Sequence, residues 1–385
     1  MLLENRKALP NRRGFFICPK LMRNNQVFSL LNLGEKRLYL PAMESDIEKP
    51  KTIAFEVTRH CKYHCPHCRA DAGPERTDEL TTSQCKKILK AIARFTKCVL
   101  IFSGGEPMER EDIYELIRHA CSLELKPVLA TCGYLIDEKS IERLKKAGVA
   151  SLVFLLDGAV AQTHDFIRQS DGSFDQIIRA AEIAHSRSVP FQINTTITKY
   201  NLAEVHAIAQ LAQKIGAECF NPLIFAPTDR SEKVADLLLD PVEYEALLYH
   251  LLEMKLNSKM KIRVICGPSF ARVVRQSNAE KKVGVTGGCV GGDGFGFISF
   301  NGDVQMCGFL DVSAGNLIEE NFNFKKIWEN SKLLNEIRDR SKYTGKCLNC
   351  DYRDFCGGCR ARAYAACGDY LHTDPVCGYQ AGEKG

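Results

Sequence analysis

Between residues 51 and 275 the chain alternates short apolar runs with amphipathic segments. Residues 52–57, 98–102, 127–131, 150–155, 191–195 and 219–225 read as strands, because each is a brief apolar or β-branched run bounded by polar or glycine residues. Between them apolar residues recur at helical spacing, as in Ile88, Leu89, Ile92 and Phe95, then Ile113, Leu116, Ile117 and Ala120. Repeated βα units with right-handed crossovers build a parallel sheet. Six repeats without a dinucleotide-binding glycine fingerprint predict an α/β fold, a partial (β/α)6 TIM-like barrel rather than a doubly wound sheet.

The pattern changes near residue 285. An apolar, glycine-rich run at 294–300 is followed by Asn301-Gly302 and a second short run at 303–307, which predicts a hairpin. The remainder reads as loops rich in cysteine. The expected organisation is an N-terminal extension (1–50), the barrel (51–284) and a cysteine-rich C-terminal domain (285–385).

Composition narrows the class. The chain has 385 residues, 45% hydrophobic, with a formal charge of +5, too small a charge for its size to argue for nucleic acid or a membrane surface. No run approaches the roughly 18 apolar residues of a membrane span, and the start carries no signal-peptide core. Arg6, Lys7, Arg12, Arg13, Lys20 and Arg23 against Glu4 read as a solvated basic terminus. Eighteen cysteines suit a reducing cytoplasm.

The chemistry begins at Cys61, Cys65 and Cys68, directly after the first predicted strand. C-x3-C-x2-C spacing suits three irons of a 4Fe–4S cluster with the fourth left open. Zinc, which usually takes four protein ligands, remains an alternative on spacing alone. The second strand runs into Ser103-Gly104-Gly105-Glu106-Pro107, where two glycines let backbone approach a ligand. Polar or glycine residues recur at the later strand ends: Thr131-Cys132-Gly133, Asp157-Gly158 and Asn194-Thr195-Thr196. In such barrels chemistry gathers at the C-terminal ends of the strands.

These motifs, in this order, resemble the radical S-adenosylmethionine (SAM) enzymes over residues 51–275. The resemblance implies that Cys61, Cys65 and Cys68 hold a cluster whose open iron chelates SAM. It also implies that Ser103, Gly104, Gly105 and Glu106 contact the methionine moiety and that Asn194 or Thr195 lies near the ribose. The chain departs from the usual pattern at His67, where an aromatic residue is common, and at Cys132, where Thr-Asn-Gly is common. His67 is expected to shield the cluster and tune its hydrogen bonding, not to ligate it.

The tail carries Cys289, Cys307, Cys347, Cys350, Cys356, Cys359 and Cys377. Paired C-x2-C units also occur in zinc ribbons. The arrangement resembles the SPASM extension of the same family, with one or two auxiliary clusters, although Cys356-Gly-Gly-Cys359 is one residue shorter than usual. The resemblance implies one cluster on Cys347, Cys350, Cys356 and Cys377. Cys289, Cys307 and Cys359 approach a second, for which Cys266, Cys367 or an open iron would complete the set. Cys85, Cys98, Cys121 and Cys219 read as small buried hydrophobes; Cys18 carries no reading.

Longer phrases at 191–198, 291–299, 307–317 and 356–364 resemble the alternative haem-biosynthesis branch of the family. Cys68-Arg-Ala70, Asp157-Gly158 with 164–168, and 226–230 point within it to members that decarboxylate two propionates of Fe-coproporphyrin III to vinyls. A sibling reaction on a sirohaem derivative or the haem d1 precursor, or peptide maturation, is the alternative. The implied partners are a tetrapyrrole and a low-potential electron donor such as ferredoxin or flavodoxin. Arg230, Lys233, Arg360 and Arg362 are candidate clamps for propionate, although each taken singly reads first as a solvated surface charge. His164 reads first as a structural hydrogen-bonding group.

Overall fold

The computed structural model describes residues 47–228, 236–284 and 287–380. The N-terminal extension up to residue 46, with Cys18 and the basic arm, lies outside the described residues, as do Arg230 and Lys233.

The six expected strands form as β1 (Thr52–Thr58), β2 (Val99–Gly104), β3 (Lys126–Thr131), β4 (Ser151–Leu155), β5 (Phe191–Ile197) and β6 (Cys219–Ile224). They pair in parallel and in chain order. β7 (Lys261–Ile262), too short to register in the hydrophobic pattern, adds a parallel strand beside β6. In the tail, β8 (Phe295–Ile298) and β9 (Asp303–Gln305) form the antiparallel hairpin expected around Asn301-Gly302, and β10 (Gly315–Asn316) continues it.

Connecting helices cover the outer face: α1 (Thr82–Phe95), α2 (Ile113–Ser122), α3 (Glu138–Ala147), α4 (Ala161–Arg168), α5 (Ser173–Ser186), α6 (Val205–Lys214), α7 (Pro241–Asn257) and α8 (Ser269–Gln276). Several starts are locally encoded. Thr81 with Gln84, and Asp240 with Glu243, form reciprocal capping boxes that satisfy backbone N–H groups before α1 and α7. α1 then buries Cys85, Ile88, Leu89, Ile92 and Phe95 on one face.

Strand alternation separates two environments. Ile53, Phe55 and Val57 of β1 and Phe191, Ile193 and Ile197 of β5 enter the apolar layer shared with the helices. Their alternate neighbours, including Glu56, Gln192 and Asn194, occupy the opposite, inner face. Polar side chains thus line the concave side of the sheet.

The tail is joined to this framework by backbone pairing. β8 lies parallel to β1, with Ile53 opposite Gly296 and Phe55 opposite Ile298. The sheet order is β10-β9-β8-β1-β2-β3-β4-β5-β6-β7, so the first strand of the barrel has the tail on one flank and β2 on the other. Trp328, fully buried in the helix Phe324–Asn330, fixes this junction: its ring fills the space over Gly296, and its Nε1 donates to Glu48 O at 3.0 Å. Trp328→Ala should destabilise the protein by about 3–5 kcal/mol. Limited proteolysis should then cleave faster between the barrel and β8 than in the wild type.

Candidate active site

The loop after β1 that carries the three cysteines is stitched to the end of β2. Gly105 N donates to Thr58 O and Glu106 N to His60 O, both at 2.8 Å. A Cβ on Gly104, whose φ is 147°, would stand 2.0 Å from Thr58 O, and one on Gly105 would stand 2.4 Å from His60 O. The glycine pair therefore serves a close approach of two backbones that no side chain would permit.

Glu106 is wholly buried. Its carboxylate accepts from Thr131 Oγ1 at 2.8 and 2.9 Å, from Cys132 N at 2.6 Å and from Met108 N at 3.1 Å. Burial pushes this carboxyl up to about 7, against the opposing effect of those hydrogen bonds. The side chain ties the end of β2 to that of β3. The backbone around Gly104 and Gly105 is the other part of this turn suited to a ligand.

Cys61 and Cys65 are buried and Cys68 half-buried, packed with Tyr63, Ala70, Ala72 and Cys132 in a small cluster of their own. Tyr134 Oη lies 3.9 Å from Cys61 Sγ and donates to Glu109 at 2.8 Å. A hydrogen bond from Cys132 pulls the Cys61 thiol down to about 6, whereas burial pushes Cys65 up to about 12. His67 reaches Asp157, with Nε2 3.3 Å from Oδ2. The same oxygen meets Arg168 Nη2 at 2.9 Å, and Thr196 N donates to Oδ1 at 2.8 Å. Although burial alone would raise it, Arg168 and His67 hold the Asp157 carboxyl well below the usual range. This buried trio anchors the cysteine loop to β4 and α4; the sequence marks His67, Asp157-Gly158 and the 164–168 phrase separately, but not that they meet.

The tail cysteines gather in two sets. Burial first, then the charges of Cys359, Cys307 and Cys289, raise the Cys266 thiol; Cys289 and Cys359 add to the burial that raises Cys307, and Cys359 to that which raises Cys289. Cys266 also has a positive φ of 55°, a conformation costly for a side-chain-bearing residue, which turns it from the strand path into this group. Cys367 instead lies exposed on the helix Arg360–Cys367 and donates to Ala363 O at 3.4 Å. In the other set Cys350 senses Cys347, Cys356 senses Cys377, and Cys377 senses Cys347. Backbone N–H groups of Gly291, Tyr352 and Gly358 each point at a cysteine sulfur, Cys289, Cys350 and Cys356 respectively, at 3.4 Å.

Residues 55–212 match the Radical SAM superfamily and residues 289–351 the SPASM iron-sulfur cluster-binding domain. The chain is 39% identical to an AdoMet-dependent heme synthase of Methanosarcina barkeri, over 87% of this chain and 98% of that protein. A second AdoMet-dependent heme synthase, from Nitratidesulfovibrio vulgaris, is 37% identical over 86% of this chain and 92% of its own. This chain belongs to the radical SAM family. Its relatives place it in the haem-synthase branch. The fold is shared with Streptococcus suis SuiB bound to S-adenosylmethionine (TM-score 0.69, 17% identity, covering 86% of this chain and 77% of that one) and with anSMEcpe with bound AdoMet (0.65, 17%, 85% and 94%).

A radical SAM enzyme with a SPASM tail uses 4Fe–4S clusters and SAM, and the residues present fit them. The thiols are free, Cys61, Cys65 and Cys68 share one loop, and backbone N–H donors aim at the sulfurs of Cys289, Cys350 and Cys356. Among the described residues no three His, Cys, Asp or Glu converge on a single metal-ion position. A cluster, being larger than one ion, spaces its thiolates farther apart. Cys85, Cys98 and Cys219 are buried as expected, and Cys121 is half-buried.

Other expected positions are reassigned by burial. Asn194 faces the polar inner side, its Oδ1 accepting from Asn221 Nδ2 at 2.8 Å. Thr195 is fully buried on the opposite side of β5 and donates to Leu156 O at 2.6 Å, which removes it as a ribose contact. Arg360 and Arg362 are neither propionate clamps nor solvated charges; each is 1% exposed. Arg362 pairs with both oxygens of Asp374, at 2.9 and 2.8 Å, and donates to Cys266 O at 2.9 Å. Arg360 donates to Tyr370 O and His372 O and reaches Cys347 Sγ at 3.8 Å. Both brace the cysteine sets. No helix among the described residues is long and apolar enough to cross a membrane.

Two outcomes follow from this geometry. Cys266→Ala should lower iron and sulfide content by about one four-iron cluster per chain, while Cys367→Ala should leave both unchanged, measured after anaerobic reconstitution. His164, 1% exposed with Nδ1 accepting from Asp157 N at 3.0 Å, is pushed down to about 3 by burial and by Arg168, against the pull of Asp157 and Asp165. Its folded value is lower than its unfolded one, so the stability it contributes is complete above pH 6.5 and lost as pH falls. The loss should reach about 2 kcal/mol by pH 5. His164→Asn should show a smaller drop in thermal midpoint between pH 7.5 and 5.5 than the wild type.

Proposed function

We propose that the enzyme oxidatively decarboxylates two propionates of Fe-coproporphyrin III to vinyl groups, giving haem b. One observation carries the reading. The SPASM cysteines are built onto the sheet beside β1, so close to the radical-generating loop that Arg69, next to Cys68, reaches Gly308 O, next to Cys307, at 3.4 Å. A substrate between the loops has a hydrogen-atom acceptor on one side and an electron exit on the other.

The chemistry needs both. Removing a hydrogen atom from the propionate carbon β to the carboxylate leaves a carbon radical; loss of CO2 then forms the vinyl double bond and releases one electron. When bound, the cluster on Cys61, Cys65 and Cys68 supplies the electron that splits SAM. The chain's own contribution is position. The Gly104-Gly105 contact sets the SAM-binding turn against the cysteine loop, Asp157 with Arg168 fixes that loop from the other side, and Asn194 and Asn221 present amides to the inner face. Similarity to haem synthases over nearly their whole length supports a tetrapyrrole in this space. A low-potential ferredoxin or flavodoxin in a reducing cytoplasm is the electron source that fits.

Anaerobically reconstituted enzyme, supplied with SAM, a low-potential reductant and Fe-coproporphyrin III, should yield 5′-deoxyadenosine and haem b by mass spectrometry, through the monovinyl intermediate. Deoxyadenosine with an unchanged porphyrin, or conversion of a sirohaem derivative, the haem d1 precursor or a precursor peptide in its place, would overturn the assignment.

A further inference from the structure

A buried charge group on the inner face of the sheet has a composition that the fold alone does not require. Glu56 of β1 is 0% exposed and carries two guanidinium partners: Arg59 Nε at 3.0 Å from Oε1 and Arg69 Nη2 at 2.8 Å from Oε2. The carboxylate is wholly enclosed, whereas the two arginine side chains keep 17% and 16% of their exposure, so the arginines and not the acid can be reached by a ligand.

The two arginines are held differently. Arg59 makes an aligned hydrogen bond to Glu56 and lies over the Phe300 ring at 4.4 Å, while its backbone N–H is fixed by Glu79 at 2.6 Å. Arg69 is close to Oε2 but not aligned with it as a hydrogen bond, and its contact with Gly308 O is long. Its guanidinium lies over Phe297 at 4.6 Å, so one flat face is supported and the planar fork is held in place. If Arg69 exchanged its partner, Glu56 would still be paired with Arg59.

Position selects the partner. Arg69 follows Cys68 on the radical-generating loop and touches Gly308 beside Cys307 in the tail. Its fork stands where a group would have to lie to face both sites. We infer that Arg69 is the residue that grips a substrate carboxylate, with Glu56 the internal carboxylate that the substrate displaces. A guanidinium takes a carboxylate bidentately, so a propionate would find better geometry than Glu56 offers. The inference deepens the proposed function and rests on its carboxylate-bearing tetrapyrrole.

Absorbance titration of the anaerobic, cluster-loaded enzyme with Fe-coproporphyrin III tests it. Arg69→Gln should weaken binding by about 10- to 100-fold, the loss expected for one charge-assisted hydrogen-bonded pair. Glu56→Gln should tighten binding severalfold, because the competitor has lost its charge. The tetramethyl ester of the same porphyrin should bind the wild type and Arg69→Gln alike. These opposite signs are not what a merely structural pair would give. If Arg69→Gln loses its iron, Arg69→Lys, with the charge kept and the fork removed, carries the test and should bind severalfold more weakly at full iron content. Arg69→Gln binding within twofold of the wild type, or Glu56→Gln binding more weakly, overturns the inference. Wild-type enzyme that neither binds nor converts Fe-coproporphyrin III overturns the substrate reading instead.

Discussion

Two backbone hydrogen bonds, Gly105 N to Thr58 O and Glu106 N to His60 O, hold together the parts on which everything else depends. They join the strand that leads into the cysteine loop to the glycine turn after β2, at a separation with no room for a Cβ on either glycine. Radical chemistry needs a reactive group released close to its target and away from water. A contact made of backbone alone, braced by a buried Glu106, holds that geometry without relying on a side-chain rotamer.

A second constraint is the placement of charge without water. Asp157 with Arg168, Asp374 with Arg362, and Glu56 with Arg59 and Arg69 are all pairings in which the acid is fully buried. The first two tie a cysteine-bearing loop to the sheet or to a helix, and breaking one partner of such a pair is far more damaging than its net contribution to stability. Ion pairs here act as positioning devices for sulfur. The price is sensitivity to acid at Asp157 and Asp374, whose carboxyls Arg168 and Arg362 hold below the usual range.

The barrel and the cluster loop were legible in the sequence for physical reasons. Strand and helix periods differ, and Cys61, Cys65 and Cys68 are local in the chain, so their spacing is itself the geometry. The parallel pairing of β8 with β1 was not legible, since it joins residues hundreds of positions apart and β8 has only a glycine-broken run to announce it. Arg360 and Arg362 were misread for a related cause: arginine is usually exposed, and only tertiary packing reveals that Asp374 and backbone carbonyls enclose these two. Thr195 was offered beside Asn194 because a sequence cannot say which face of β5 is the inner one until the neighbouring strands are placed. Cys266 was one of two candidates, and backbone conformation together with proximity to Cys289, Cys307 and Cys359 separated it from Cys367.

The strand order has a consequence for the birth of the molecule. β1 is among the first strands to leave the ribosome, yet its partner on one flank, Phe295–Ile298, is among the last. Throughout synthesis of the intervening barrel, that flank of β1 remains an open edge, able to pair with whatever strand it meets. Emergence of β8, rather than completion of the six-stranded barrel, is the point from which the edge can be sealed. Iron loading before that moment would act on a loop with one supporting wall still to come.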